Sequence, residues 1–132
     1  MGTVIKLFEE KDWYNIKDPV DSFAYEPDMK LIKERGLTVT LTKDNVVQGC
    51  GGAVLYDENN AELWLRLSKK VNKFIALDAV CECFKYIISS LGNMNIYCRV
   101  KSGFKKGKRL VKHLGFKYDR VLDDYEVYKW SL

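Results

Sequence analysis

The chain has 132 residues, the length of one ordinary domain, and 47% of them are hydrophobic against 30% charged, a balance that excludes a disordered or fibrous protein. It carries 22 Lys/Arg against 18 Asp/Glu, a net charge of +4. No apolar run approaches the ~20 residues of a membrane span, and Met1 to Lys6 has neither the pattern of a secretory signal nor that of a myristoylation site, so we expect a cytosolic protein with one domain over 1–132 and no membrane span.

In chain order, Thr3 to Phe8 reads as an opening strand. Glu9 to Glu34 is a helical and irregular stretch broken by Pro19 and Pro27, with Gly36 as a helix stop. Leu37 to Thr42 alternates apolar and hydroxyl side chains, the period of a half-buried strand, and Lys43-Asp44-Asn45 turns it. Val46 to Tyr56 is the return strand, in which Gly49, Gly51 and Gly52 mark a bulge or the close approach of another backbone. After a turn at Asp57 to Asn60, Glu62 to Ser68 alternates Leu63, Leu65 and Leu67 against Glu62, Trp64, Arg66 and Ser68. The period then changes. Phe74, Leu77, Cys81, Phe84, Ile88 and Leu91 recur at steps of three and four, which predicts a buried helix with Ser68 capping its start and Gly92 ending it. Met94 to Val100 is a further strand and Phe104 to Leu114 a second amphipathic helix. Phe116 to Val121 and Tyr125 to Trp130 form a hairpin turning at Asp123-Asp124.

The fold class that follows is α/β (α+β), a mixed sheet with helices packed on its faces. The four cysteines, Cys50, Cys81, Cys83 and Cys98, lie in apolar surroundings without a metal-ligand spacing, so reduced core thiols are expected and no metal. Cys81 and Cys83 point about 200° apart around their helix.

The order of elements, together with Leu114-Gly115-Phe116 at the junction of the last helix and the terminal hairpin, resembles the GNAT superfamily of acyl-CoA-dependent N-acyltransferases across nearly the whole chain. The resemblance implies a mainly antiparallel central sheet with helices on both faces, acetyl-CoA as cofactor and an amine as substrate. It also implies that the strand Glu62 to Ser68 splays from its neighbour and that the following loop holds the cofactor diphosphate on backbone N–H groups. Carried onto this chain, the cofactor residues are Leu65, Leu67, Ser68, Lys69, Lys70 and Lys73, with Lys105 and Lys106 from the basic strip as further phosphate contacts.

Two positions depart from the family pattern. The loop from Ser68 to Ala76 has no glycine where the family has Gln/Arg-x-x-Gly-x-Gly/Ala, and Val111 stands where many members place the tyrosine that protonates the leaving thiolate. A general acid would then come from Tyr118, Tyr128 or water. Glu62 is the only acidic residue on the strand leading into the loop and so the candidate base, although its place beside a turn also reads as a solvent-facing strand end. His113 reads as a surface helix residue.

Arg99 to Arg120 holds nine Lys/Arg and one acid, a local charge of +8, so the rest of the chain sums to −4. Such a strip suits a cofactor phosphate, nucleic acid or an acidic protein surface; the helix has no interleaved aromatic platform, which argues against nucleic acid. Two functional readings stay open. One is a GNAT-fold protein with a degenerate acyl-CoA loop, catalytically weak or silent, that serves with a protein partner or assembly as a binding or structural component. The other is an acetyl-CoA-dependent N-acetyltransferase acting on a primary amine of a protein or small molecule. The run Trp64-x-x-x-Ser68 followed by lysines before Lys73-Phe74 is also similar to acetyltransferase-like internal virion proteins of short-tailed phages, which implies a virion component or a location in the host cytoplasm.

Overall fold

The computed structural model describes residues 4–20, 26–70 and 73–130, with side chains for all of these except 20 and 73–77. Strand β1 (Val4–Leu7) precedes a short helix α1 (Glu10–Tyr14), a two-residue strand β2 (Pro19–Val20) and helix α2 (Met29–Arg35). Three long strands follow, β3 (Gly36–Lys43), β4 (Val46–Leu55) and β5 (Asn60–Ser68). Helix α3 (Lys73–Leu91), strand β6 (Asn95–Lys101), helix α4 (Lys105–His113) and the hairpin β7 (Lys117–Leu122) and β8 (Tyr125–Trp130) complete the chain.

The strands form one sheet in the order β1-β3-β4-β5-β6-β8-β7, with β2 added to β5. Pairing is antiparallel except between β5 and β6, where α3 makes the crossover that a parallel pair requires. The β3–β4 turn has left-handed backbone at both Asp44 and Asn45, φ 53° and 64°, the conformation of a tight hairpin, and Asp and Asn tolerate it better than most residues.

Gly36 ends α2 as expected, with extended backbone at φ −101° rather than a left-handed turn, and the chain passes straight into β3. Two local expectations are corrected. Pro19, expected only as a helix breaker, opens β2, a position where the missing N–H costs no ladder bond that a central strand would need. Ser68 ends β5, and α3 begins five residues later, so Ser68 is not its cap.

The glycines of β4 do answer to close approach. A Cβ on Gly52 would lie 2.0 Å from the Leu37 carbonyl oxygen, and one on Gly51 2.7 Å from the Trp64 carbonyl oxygen, so only hydrogen fits between these strands. The bulge lies near them, where the β3–β4 register slips between Leu41 and Thr42.

Each face of the sheet has its own core. On one, Ala53, Leu63, Leu65, Ile96, Cys98, Val100 and Tyr128 pack with Val80, Phe84, Ile87 and Ile88 of α3 and Leu110 and Val111 of α4. On the other, Cys50, Val54 and Trp64 pack with Ile16 and Ile32 beneath α1 and α2. β5 is therefore buried on both sides, although its sequence alternates as a half-buried strand does. The reason is the second layer of helices, which covers Trp64 fully and sets the Trp13 ring 5.5 Å from it.

Buried Asp12 fastens that second layer. Its carboxylate accepts hydrogen bonds from the Glu9 amide at 2.8 Å, the Thr40 hydroxyl at 2.8 Å and Lys6 Nζ at 3.3 Å, which ties α1 to both β1 and β3. At the other end of the chain, Gly115 adopts φ 102°, and the Phe116 amide donates to the Val111 carbonyl while Gly115 donates to Lys112. This is the paired closure that lets a glycine end a helix and turn the next residue inward, and Phe116 is buried as expected.

Candidate functional site

β5 and β6 pair only from Asn60↔Asn95 to Leu63↔Cys98. Beyond that rung Trp64 to Ser68 and Arg99 to Lys101 share no ladder, so the two parallel strands part toward their C-terminal ends. In an open α/β arrangement this is where ligands enter, because two helices, α3 and α4, begin at the same sheet end with their N-terminal amides facing it. The splay that the family resemblance implies is present.

The gap is not empty of chain. Val20 pairs with Leu67 and Pro19 with Ser68. Leu67 also faces Gly49 of β4 on its other side, so β2 occupies the edge of β5 that β6 vacates. The loop after β5 is similarly engaged. The Lys69 amide donates to the Asp18 carbonyl at 3.1 Å, the Lys70 amide donates to Ser68 Oγ at 3.2 Å, and Ser68 Oγ donates to the Asp18 carboxylate at 3.2 Å. Both N–H groups described in this loop thus donate within the chain, one to a backbone carbonyl and one to a side-chain hydroxyl.

At the vertex of the splay sits Glu62, 4% exposed and so far from the solvent-facing strand end that its neighbouring turn suggested. Arg99 Nε donates to Glu62 Oε2 at 2.7 Å and Arg99 Nη2 to Oε1 at 2.9 Å, and the Tyr56 hydroxyl donates to Oε1 at 2.7 Å. The hydrogen bonds to Glu62 push the Arg99 pKa up against the effect of burial, so the guanidinium stays charged. A carboxylate that accepts both bonds of a bidentate arginine and one from a tyrosine hydroxyl has most of its hydrogen-bond acceptor capacity taken. Sequence reasoning missed Arg99 and Tyr56 as its partners. The signal was an arginine at an alternate position of β6, legible only once the parallel register was known.

The remaining candidates do not gather here. Tyr118 is 51% exposed on the edge strand β7, on the opposite face from Glu62 and three strands from β5, about 14 Å at the usual strand spacing; its ring packs edge-on against Tyr128. Tyr128 is buried beside Cys98 and Val111; burial and then the nearby Glu126 carboxylate push its hydroxyl pKa up. Val111 is buried and has no proton to give. Leu65 is a core residue under α3 and Leu67 packs against the same core, so their side chains are committed to packing. Lys69 and Lys70 are exposed at the end of β5, and Lys105 and Lys106 are exposed at the start of α4, which the topology places at the same end of the sheet. The Lys73 side chain and residues 71–72 lie outside the described residues. His113 is exposed, as expected.

The four cysteines are all buried and unpaired by disulfides. Among the described residues no group of three His, Cys, Asp or Glu side chains is placed to hold a metal ion, and no helix is long and apolar enough to cross a membrane.

No protein-family model matches the chain, and no curated protein matches it in sequence. Solved structures do. Ard1 from Thermoplasma volcanium aligns over 98% of this chain and 95% of its own with a TM-score of 0.72 at 17% identity. The NatC complex, solved with a Gag peptide and CoA, aligns over 100% and 99% with a TM-score of 0.73 at 16% identity. A GNAT-family acetyltransferase from Bacillus cereus aligns over 99% and 98% with a TM-score of 0.70 at 13% identity. The chain has the GNAT acetyltransferase fold, end to end.

Proposed function

We propose that this is a GNAT-fold protein without the family's acyl-transfer chemistry, and that it acts by binding a partner. One observation carries the reading: the Lys69 and Lys70 amides, at the place where a cofactor diphosphate would be cradled, are bonded to Asp18 and Ser68 of the chain itself. A diphosphate needs backbone N–H groups directed at it. Here the described ones are spent internally, and β2 lies along the neighbouring edge of β5. On this reading the described end of the loop is committed to the protein's own chain rather than to the diphosphate of acetyl-CoA.

The reacting end of the cleft supports the same reading. A transferase must take a proton from the amine and return one to the thiolate. Glu62 is closed into its pair with Arg99, Val111 has no proton to give, and Tyr118 faces away from the vertex. Fold alone does not supply a function when the site has changed. A role within a larger assembly, the phage particle included, is compatible with a binding protein of this kind.

A second reading is favoured by the splay itself, which is retained beyond Leu63 and Cys98 at the sheet end where α3 and α4 begin. On it the protein is an acetyl-CoA-dependent N-acetyltransferase that uses lysines in place of glycine amides and water or Tyr128 as proton donor. The two are separated by following CoA release from acetyl-CoA in the presence of N-terminal peptide, lysine-peptide and polyamine acceptors. The binding reading expects no release above the protein-free rate, and sustained turnover with any acceptor overturns it.

A further inference from the structure

We propose that the basic face of β6, β8 and β7, on the side of the sheet opposite α3 and α4, is a docking surface for an extended acidic segment of a partner protein; Val127 at its centre is buried among the flanking side chains, so the cationic heads are the contact groups. The inference rests on the reading that the protein works by binding, and it names the chemistry of the partner.

Along β6, Ile96, Cys98 and Val100 point into the core under α3 and α4, so Tyr97, Arg99 and Lys101 point the other way. The register extends this face across the hairpin: Lys101 lies opposite Tyr125, Arg99 opposite Val127 and Tyr97 opposite Lys129. On the next strand Leu122 lies opposite Tyr125, Arg120 opposite Val127 and Lys117 opposite Lys129. Among the described residues, helices α1 and α2 make their main contacts with β3 and β4.

Five cations therefore share one sheet face: Arg99, Lys101, Lys117, Arg120 and Lys129. Lys101 has a partner of its own, and Asp123 and Asp124 lie in the turn beside it, so the surplus charge centres on Lys117, Arg120 and Lys129. Glu62 is paired with Arg99, Asp119 in the β7 bulge is paired with Arg120, and Glu126 points to the opposite face, where it meets Lys108 of α4. Lys117 and Lys129 stand directly opposite each other, a like-charge cross-strand pair that destabilises a hairpin unless an anion lies between them. Positions two apart on a strand are about 6.6 Å apart, which is also the spacing of same-side carboxylates on an extended peptide.

The Tyr97 ring favours protein over nucleic acid. Single-stranded nucleic acid needs exposed rings on which bases stack. The Tyr97 ring is taken by Lys129 Nζ at 5.7 Å and by Arg120 at 5.8 Å from its centroid, so its π-face serves cations.

The test is fluorescence anisotropy of a labelled octapeptide of alternating Glu and Val, titrated with the intact protein at low and at 0.3 M salt. A charge-matched pair of variants accompanies it. K117E/R120E/K129E reverses the proposed face, and K30E/K43E/K85E reverses three cations on α2, β3 and α3. Binding that weakens with salt, falls about tenfold or more in the first variant and stays within about twofold in the second is the expected result. Equal loss in both variants overturns the proposal, because net charge alone would then explain binding. Tighter binding of a dT oligonucleotide of equal charge also overturns it. Amide chemical-shift mapping on the unmodified protein guards against a misfolded variant: shifts must centre on 97–101, 117–122 and 125–129, and shifts centred on α4 contradict it. Absence of peptide binding in a protein that also fails to turn over acetyl-CoA removes this proposal alone, whereas turnover removes the binding reading.

Discussion

Glu62 of β5 and Arg99 of β6 are joined by two hydrogen bonds, of 2.7 and 2.9 Å, beside the last rung at which these parallel strands pair. The pair pins the vertex of the splay and holds the Glu62 carboxylate away from solvent. Arg99→Leu leaves that carboxylate buried without its cation and is expected to lower stability by about 2 to 4 kcal/mol in urea unfolding, whereas the double change E62L/R99L recovers part of the loss because neither charge is then buried. A double variant less stable than Arg99→Leu would assign the pair a larger net contribution than this.

The Asp12 carboxyl gives the acid limb of the stability profile. Burial raises its pKa, but the Glu9 amide, the Thr40 hydroxyl and Lys6 together outweigh that and hold it below the ordinary 3.8. A folded-state pKa lower than the unfolded one stabilises fully above the unfolded value and is lost as pH falls through 3.8 toward the folded value. Stability measured from pH 6 to pH 2.5 should fall across that window, and Asp12→Asn should flatten the fall while lowering stability at pH 6. A profile of unchanged slope in the variant would place the acid sensitivity elsewhere.

Thiol chemistry should be silent until the protein opens. Burial pushes the Cys50 thiol up to about 12 and Cys83, with Glu82 adding to the effect, to about 11, and it pushes Cys81 and fully enclosed Cys98 up as well. Since the thiolate is the reactive form, a thiol reagent at pH 8 should modify none of the four in the folded protein and all four in denaturant. Rapid labelling of a native cysteine would show local opening of the element that carries it.

Much of the fold was legible because its signals are local. The switch from period two to three- and four-residue steps located α3, Gly115 marked the end of α4, and Asp44-Asn45 marked a hairpin turn. What the sequence hid depends on pairing between distant residues. β5 reads as half-buried because Trp64 and Glu62 alternate with leucines, yet a second helical layer and Arg99 bury that face too. β2 is two residues long, too short for any period, and exists because the β5 edge is free beyond Leu63. For the site, the departures at the loop and at Val111 were visible as letters. The internal bonds of the Lys69 and Lys70 amides were not, since they depend on where Asp18 lies.

The proposed binding role without acetyl-CoA is tested most directly by isothermal calorimetry of the purified protein with acetyl-CoA. Titration to millimolar cofactor should give no binding heat beyond dilution, in keeping with loop amides that are already bonded to Asp18 and Ser68. Saturable binding in the micromolar range, abolished by changing Lys69, Lys70 and Lys73 together, would contradict the account and restore the transferase reading.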